Sequence, residues 1–255
     1  MRCVRALVLL FGCVACSSGP YFIGEQHGDA GPPSECDEAF AGALACSGFE
    51  ASDLASEWPD QTIAMAGELE RTTERAHSGE AALRASSNGP QSVAVVASEI
   101  EPVVSGTLHL RVHLYVPSGV PTETINILFI GSDPAPDPFT GLDINVEDGA
   151  LQIFSPQNDP ARVTGELIIP RDVWFCLRAE IAVSDDAGAV QLFVDDALAL
   201  EATGLDTLPE DGVHLLRAGV DWSSGQEASF EIYIDDLVLD DAPVACATAT
   251  AAATR

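Results

Sequence analysis

Between Gly106 and Val116 apolar and polar residues alternate without a break. Leu108, Leu110, Val112, Leu114 and Val116 fall on one side, and His109, Arg111, His113 and Tyr115 on the other. Val173–Val183 repeats the pattern: Trp174, Cys176, Arg178 and Glu180 oppose Phe175, Leu177, Ala179 and Ile181. Period-two alternation marks a strand with one face on a core. Gly141–Glu147 and Ala228–Asp240 read the same way, and further short apolar runs occur at Gly67–Thr73, Ala81–Ser86, Ser92–Ser98, Thr124–Ile130, Ala150–Ser155, Ala189–Val194 and His214–Trp222. Between them stand turn formers such as Ser78-Gly79, Asn88-Gly89-Pro90, Glu147-Asp148-Gly149, Glu210-Asp211-Gly212 and the tight Asp195–Asp196. No long stretch has helical periodicity. About a dozen strands at this spacing predict an all-β sandwich or barrel.

The two ends differ from this pattern. Arg2 and Arg5 precede an apolar run, Ala6–Ala15, too short to span a bilayer, so residues 1–16 read as a secretion signal. The run ends in Gly-Cys-Val-Ala-Cys-Ser-Ser-Gly, which resembles the lipobox of bacterial lipoproteins, with Cys16 the acylated residue and Cys13 the alternative. Acylation at Cys16 leaves four cysteines, Cys36, Cys46, Cys176 and Cys246, an even number suited to two disulfides in an oxidising compartment. Residues 17–35 are rich in Gly, Pro and Ser and read as a flexible tether. Residues 36–246 form the domain, and 247–255 a low-complexity tail. The expected location is the outer membrane or cell surface of a bacterium, with the membrane reached through the lipid.

Charge narrows the partners. The 255 residues carry a formal charge of −29, and every basic residue is Arg. Such a field excludes nucleic acid and repels anionic polymers unless cations bridge them. Neutral sugars remain open, and nothing in the pattern calls for more than a monomer.

Phe49-Glu50, Ala76-His77-Ser78-Gly79 before Ala81-Ala82-Leu83, Tyr115-Val116-Pro117-Ser118, Val173-Trp174-Phe175-Cys176 and Val190-Gln191-Leu192-Phe193-Val194-Asp195-Asp196 together resemble the concanavalin A-like lectin/glucanase superfamily in its laminin-G-like form. The resemblance spans roughly Cys46–Cys246. It implies a two-sheet antiparallel jelly-roll sandwich, whose concave face commonly binds sugar. One departure is Asp196, where the family usually turns on Asp-Gly.

Two strand faces are candidates for binding carbohydrate. His109, Arg111, His113 and Tyr115 offer imidazoles, a guanidinium and a phenol for hydroxyls and sugar rings; the alternative is a plain solvated face. Asp143, Asn145 and Glu147 share the other face, close to the Glu-x-Asp-x-Glu strand of laminarinase-like glycosidases. Asp143 and Glu147 are weak catalytic candidates, because the first arm is short and their Cα atoms lie about 13 Å apart, whereas a retaining pair needs carboxyls about 5–5.5 Å apart. Glu231, Tyr233 and Asp235 could join the same groove. Calcium is a candidate ligand of the acid pairs Asp185-Asp186, Asp195-Asp196, Asp235-Asp236 and Asp240-Asp241, with no ligand set singled out. Catalytic signatures such as Gly-x-Ser-x-Gly, Walker A and His-Glu-x-x-His are missing. The four cysteines allow three pairings. Close spacing favours Cys36–Cys46 with Cys176–Cys246, and Cys46–Cys246 is the rival. Of the three tryptophans, all expected mostly in the core, Trp58 in its Ser-Glu-Trp-Pro loop is the one expected to be exposed.

Overall fold

The computed structural model describes residue 36 and residues 40–121, 123–132, 140–157, 161–224 and 229–246. The signal segment, Cys13, Cys16, the 17–35 tether and the 247–255 tail lie outside the described residues. Among the described residues, fifteen strands and the helical turn Leu54–Glu57 follow in chain order. The first are β1 (Ala45–Ser47), α1 (Leu54–Glu57), β2 (Asp60–Ala64), β3 (Gly67–Thr72), β4 (Ala82–Ser87), β5 (Val93–Val103) and β6 (Gly106–Tyr115). Next come β7 (Ile125–Ser132), β8 (Thr140–Glu147), β9 (Ala150–Ser155), β10 (Ala161–Ile168) and β11 (Trp174–Val183). The last are β12 (Gly188–Val194), β13 (Ala197–Leu205), β14 (Val213–Ser223) and β15 (Phe230–Asp240).

They form two antiparallel sheets, as the alternation predicts. One has eight strands in the order β13-β12-β11-β6-β15-β4-β3, with β1 added on β15. The other has seven, β10-β9-β8-β7-β14-β5-β2. Leu108, Leu110, Val112 and Leu114 of β6 and Phe175, Leu177 and Ile181 of β11 face inward and are fully buried. Opposite them lie Leu142, Ile144 and Val146 of β8 and Leu216, Ala218 and Val220 of β14 in the same apolar core. Burying each such side chain contributes about 1.5–3 kcal/mol, so the register of every central strand is set by its apolar half.

The Asp195–Asp196 turn forms with both residues at positive φ, 47° and 65°. Aspartate tolerates this conformation, and Asp195 Oδ1 also accepts the Cys176 backbone N–H at 2.9 Å. The opening of the domain differs from the sequence reading. The first strand is β1, which precedes every run read from the alternation, and Phe49 takes φ 55° in the turn that follows it. Asp53 caps α1 by accepting the Ala55 N–H, and the turn folds Trp58 inward. Trp58 is only 3% exposed, and its ring stacks on Phe49 with centroids 6.0 Å apart. The exposed tryptophan is Trp222, at 48%.

Cys36 pairs with Cys46 and Cys176 with Cys246. Cys176 lies on the outward side of β11, so its bond ties the C-terminal segment across the outer face of the eight-stranded sheet. Two disulfides suggest an oxidising, extracytoplasmic setting. Among the described residues no helix is long and apolar enough to cross a membrane.

Gly131 on β7 and Gly141 on β8 are register partners. A Cβ on Gly131 would lie 2.6 Å from the Gly141 Cα and 2.7 Å from the Phe129 ring. Paired glycines therefore let the Phe129 ring lie along the sheet. Gly131→Ala is expected to destabilise the domain by about 1–3 kcal/mol through overpacking, read as a lowered denaturant midpoint with an unchanged slope. A midpoint equal to that of the native chain would show that the pair is not needed.

Candidate functional site

The outer face of the seven-stranded sheet carries two cross-strand rows. Arg217, Phe129, Asp143, Phe154 and Arg162 stand side by side from β14 to β10. Beside them run Trp222, Asn126, Asn145, Gln152 and Thr164. Two irregularities create the arrangement. The ladder between β14 and β7 slips between Ala218 and Trp222, and Gly219 adopts φ 138° there. The β7–β8 ladder slips between Asn126 and Leu128. Bulges of this kind re-aim side chains.

The rows enclose a cleft of about 280 Å³ lined by Phe129, Phe154, Trp222 and Pro156 together with Asn126, Asp143 and Asp221. The Arg162 guanidinium lies 5.2 Å from the Phe154 ring centroid, and that of Arg217 lies 5.9 Å from Phe129. Arg217 Nη1 also pairs with Asp221 at 3.4 Å. Cationic groups over the rings hold them in place; Phe129 is only 2% exposed, so the aromatic surface open to a ligand is that of Trp222 and Phe154.

Asp143 is the perturbed group of the cleft. Burial pushes its carboxyl up from 3.8 to about 6; a hydrogen bond from Asn126 opposes the shift, the Asp221 charge adds to it, and Arg162 moderates it. Asn126 leaves its own buried Oδ1 without a hydrogen-bond partner among the described residues. A donor from a ligand would satisfy it.

Glu147 is on the same face but is held apart from that cleft. It accepts from Thr124 Oγ1 at 2.7 Å, from Gln152 and from Thr164 Oγ1 at 3.3 Å. Arg162 Nη1 lies 3.8 Å from it. Asn145, also buried, donates to Gln152 at 3.2 Å. The second acid whose charge reaches Asp143 is thus Asp221 of β14, and Glu147, the weak catalytic candidate beside Asp143, does not line the cleft.

His109, Arg111, His113 and Tyr115 lie on the opposite side of the sandwich, facing out from the eight-stranded sheet. They share no groove with Asp143, and they are not solvated: Arg111 is 2% and His113 3% exposed. Phe40 lies 5.0 Å from the Arg111 guanidinium, Arg75 covers Tyr115 at 4.3 Å, and His77 stacks on His113 at 3.5 Å. Tyr233 and Asp235 are buried on that sheet too, so neither extends an open groove there. Period two marks them correctly as outward-facing, but alternation carries no information about segments that fold over a face. This row therefore cannot serve as an open sugar platform.

The acid pairs also separate by environment. Asp185, Asp186, Asp195 and Asp196 lie in turns on the surface, whereas Asp235 and Asp236 are buried. Burial and the neighbouring Asp236 charge push Asp235 up to about 8, against backbone N–H bonds from His77, Ser78 and Asp236. Among the described residues, the His, Cys, Asp and Glu side chains whose ligand atoms approach one another closely enough to share an ion are His77, His113 and Asp236. Two imidazoles and one carboxylate are not the all-oxygen set that calcium takes.

No protein-family model and no curated protein matches the chain. Solved structures do. An endo-β-1,4-glucuronan lyase from the fungus Trichoderma reesei superposes with a TM-score of 0.61 at 15% identity, over 72% of this chain and 90% of its own. The cellulose-induced protein Cip1 gives 0.60 at 13%, over 80% and 100%. A carbohydrate esterase from the Shiga toxin-encoding bacteriophage phi24B gives 0.52 at 13%, over 77% and 97%. At these identities the likeness is one of fold, the two-sheet antiparallel jelly roll.

A carboxyl whose folded pKa is raised favours the native state below its unfolded pKa of 3.8, and that contribution is lost as pH rises through about 6. Asp143→Asn is therefore expected to remove part of the stability loss between pH 4 and 7, on the order of 1–3 kcal/mol. Denaturation midpoints across that range check it, and parallel pH profiles for the two proteins would contradict it.

Proposed function

We propose that this chain is an exported, lipid-anchored bacterial envelope protein whose jelly roll binds carbohydrate, without cleaving it, in the cleft on the outer face of the seven-stranded sheet. The observation that carries this reading is the cleft itself, where three aromatic rings and three short polar side chains meet. Rings such as Trp222 and Phe154 suit the apolar faces of pyranoses, and Asn126 and Asp143 suit ring hydroxyls. Asp143 comes from the expected strand face, while Asn145 and Glu147 of that face are tied to Gln152 beside the cleft. Acylation at Cys16, or at Cys13, with residues 17–35 as tether, would hold the domain off the membrane as a monomer. The overall charge favours a neutral glycan over an anionic one.

A second reading has one observation in its favour. A carboxyl with a pKa of about 6 is poised for general acid or base work, so a glycosidase or lyase acting through Asp143 is the alternative. The inward tie of Glu147 weighs against a two-carboxylate hydrolase.

Glycan-array and affinity-gel retention of the purified protein should identify a polysaccharide that Trp222→Ala and Phe154→Ala bind at least about tenfold more weakly, the loss of a central aromatic contact. No retention on any neutral glycan would leave an adhesive or structural envelope role instead. Release of reducing or unsaturated ends that disappears in Asp143→Asn would replace the binding reading with the enzymatic one.

A further inference from the structure

On the other side of the sandwich, His77 in the loop after β3, His113 in the centre of β6 and Asp236 in the bulge of β15 come together. We propose that these three side chains form a binding site for a borderline divalent transition-metal ion, zinc foremost. Their ligand atoms all lie within 4.8 Å of one another. His77 Nδ1 is 2.6 Å from Asp236 Oδ2, and Ser78 Oγ donates to Asp236 Oδ1 at 2.6 Å. The carboxylate is thus oriented by a neighbour, as metal-binding carboxylates usually are.

The decisive atom is His113 Nδ1. It is buried, in a residue only 3% exposed, and has no hydrogen-bond partner among the described residues. Asp236 Oδ2 is 3.4 Å away without forming a hydrogen bond to it. A buried imidazole nitrogen left unpaired is costly, and an ion between it and Asp236 would satisfy it. The bulge makes the position available. The β15–β6 ladder slips between Asp235 and Val238, and Asp236 takes φ 47°.

The two imidazole rings are parallel to within 9°, with centroids 3.5 Å apart. An ion in the plane of one ring would lie out of the plane of the other, so binding requires one ring to tilt. His77 is the ring that can move: its side chain is 26% exposed, against 4% for that of His113. Entry is open through a cavity of about 220 Å³ bordered by both histidines, Trp174, Asp195 and Asp196. The two aspartates at its mouth and the −29 charge of the chain raise the local concentration of cations. Two nitrogens and one carboxylate oxygen select zinc, cobalt, nickel or copper over calcium or magnesium, and leave a coordination position for water. An ion there would clamp the 73–81 loop onto β6 and β15.

Zinc titration of the native chain by calorimetry, in excess calcium to occupy surface carboxylates, is expected to show one saturable site and a raised melting temperature. His77→Gln is expected to weaken zinc at least about tenfold, the scale of losing a ligand-shell contact. Copper bound to the native chain should show nitrogen hyperfine splitting in its electron paramagnetic resonance spectrum, a readout independent of whether the variant folds. Lack of a saturable zinc site under excess calcium, unchanged zinc affinity in His77→Gln, or a copper spectrum with oxygen ligands alone would overturn the assignment.

Discussion

The shared apolar core between the sheets is the constraint on which everything else depends. Each central strand buries its alternate apolar residues there, so its remaining residues must face outward. Slipping β8 by one residue would expose Leu142, Ile144 and Val146 and turn Asp143 and Asn145 into the core. Moving three apolar side chains into water alone costs several kcal/mol, and burying the polar ones without partners adds to it. The cleft residues are therefore held in place by the side of the sheet that a ligand never touches.

That constraint leaves the two outer faces equivalent in principle, and the chain ends break the equivalence. The Cys176–Cys246 bond holds the C-terminal segment across the eight-stranded sheet, and Phe40 and the 73–81 loop cover the rest of β6. Over the seven-stranded sheet the described residues leave Trp222 half exposed beside the cleft. The row richest in imidazole and guanidinium groups is thus covered except for the small cavity beside His113, and the more modest Asp143 row stays open.

How far the sequence could be read follows from which interactions are local. Alternation, turn formers and cysteine spacing identified the class of fold, the strand runs, the Asp195–Asp196 hairpin and the favoured disulfide pairing, because each depends on neighbours along the chain or on a small number of pairings. The cleft depends on register between strands far apart in sequence. Asp143 was legible as an outward carboxyl, whereas its partners Asn126, Phe129, Phe154, Asp221 and Trp222 come from β7, β9 and β14 and are brought in by two ladder slips. By parity Trp222 falls with the inward-facing Leu216, Ala218 and Val220 of β14, so its outward position rests on the ladder slip and nothing local separates it from Trp58. The inward turn of Trp58 depends on the Asp53 cap and on Phe49, both of which act only in the folded chain.

The same reasoning explains why the acids of so acidic a chain are not interchangeable. Many lie in turns or at exposed strand positions such as Glu68, Glu99 and Glu201, where water screens them and their count has little effect beyond solubility and steering. Asp143, Asp235 and Asp236 sit at strand positions packed among other side chains, where a carboxylate has few places to reach water. Burial pushes the first two toward neutrality. Asp236 goes the other way: burial alone would raise it, but hydrogen bonds from His77 and Ser78 and the facing imidazoles hold it below the ordinary carboxylate range. A carboxylate kept charged inside a sheet needs positive or donor partners throughout its surroundings, and that requirement brings a loop histidine, a strand histidine and a bulged aspartate together on the covered side of this fold.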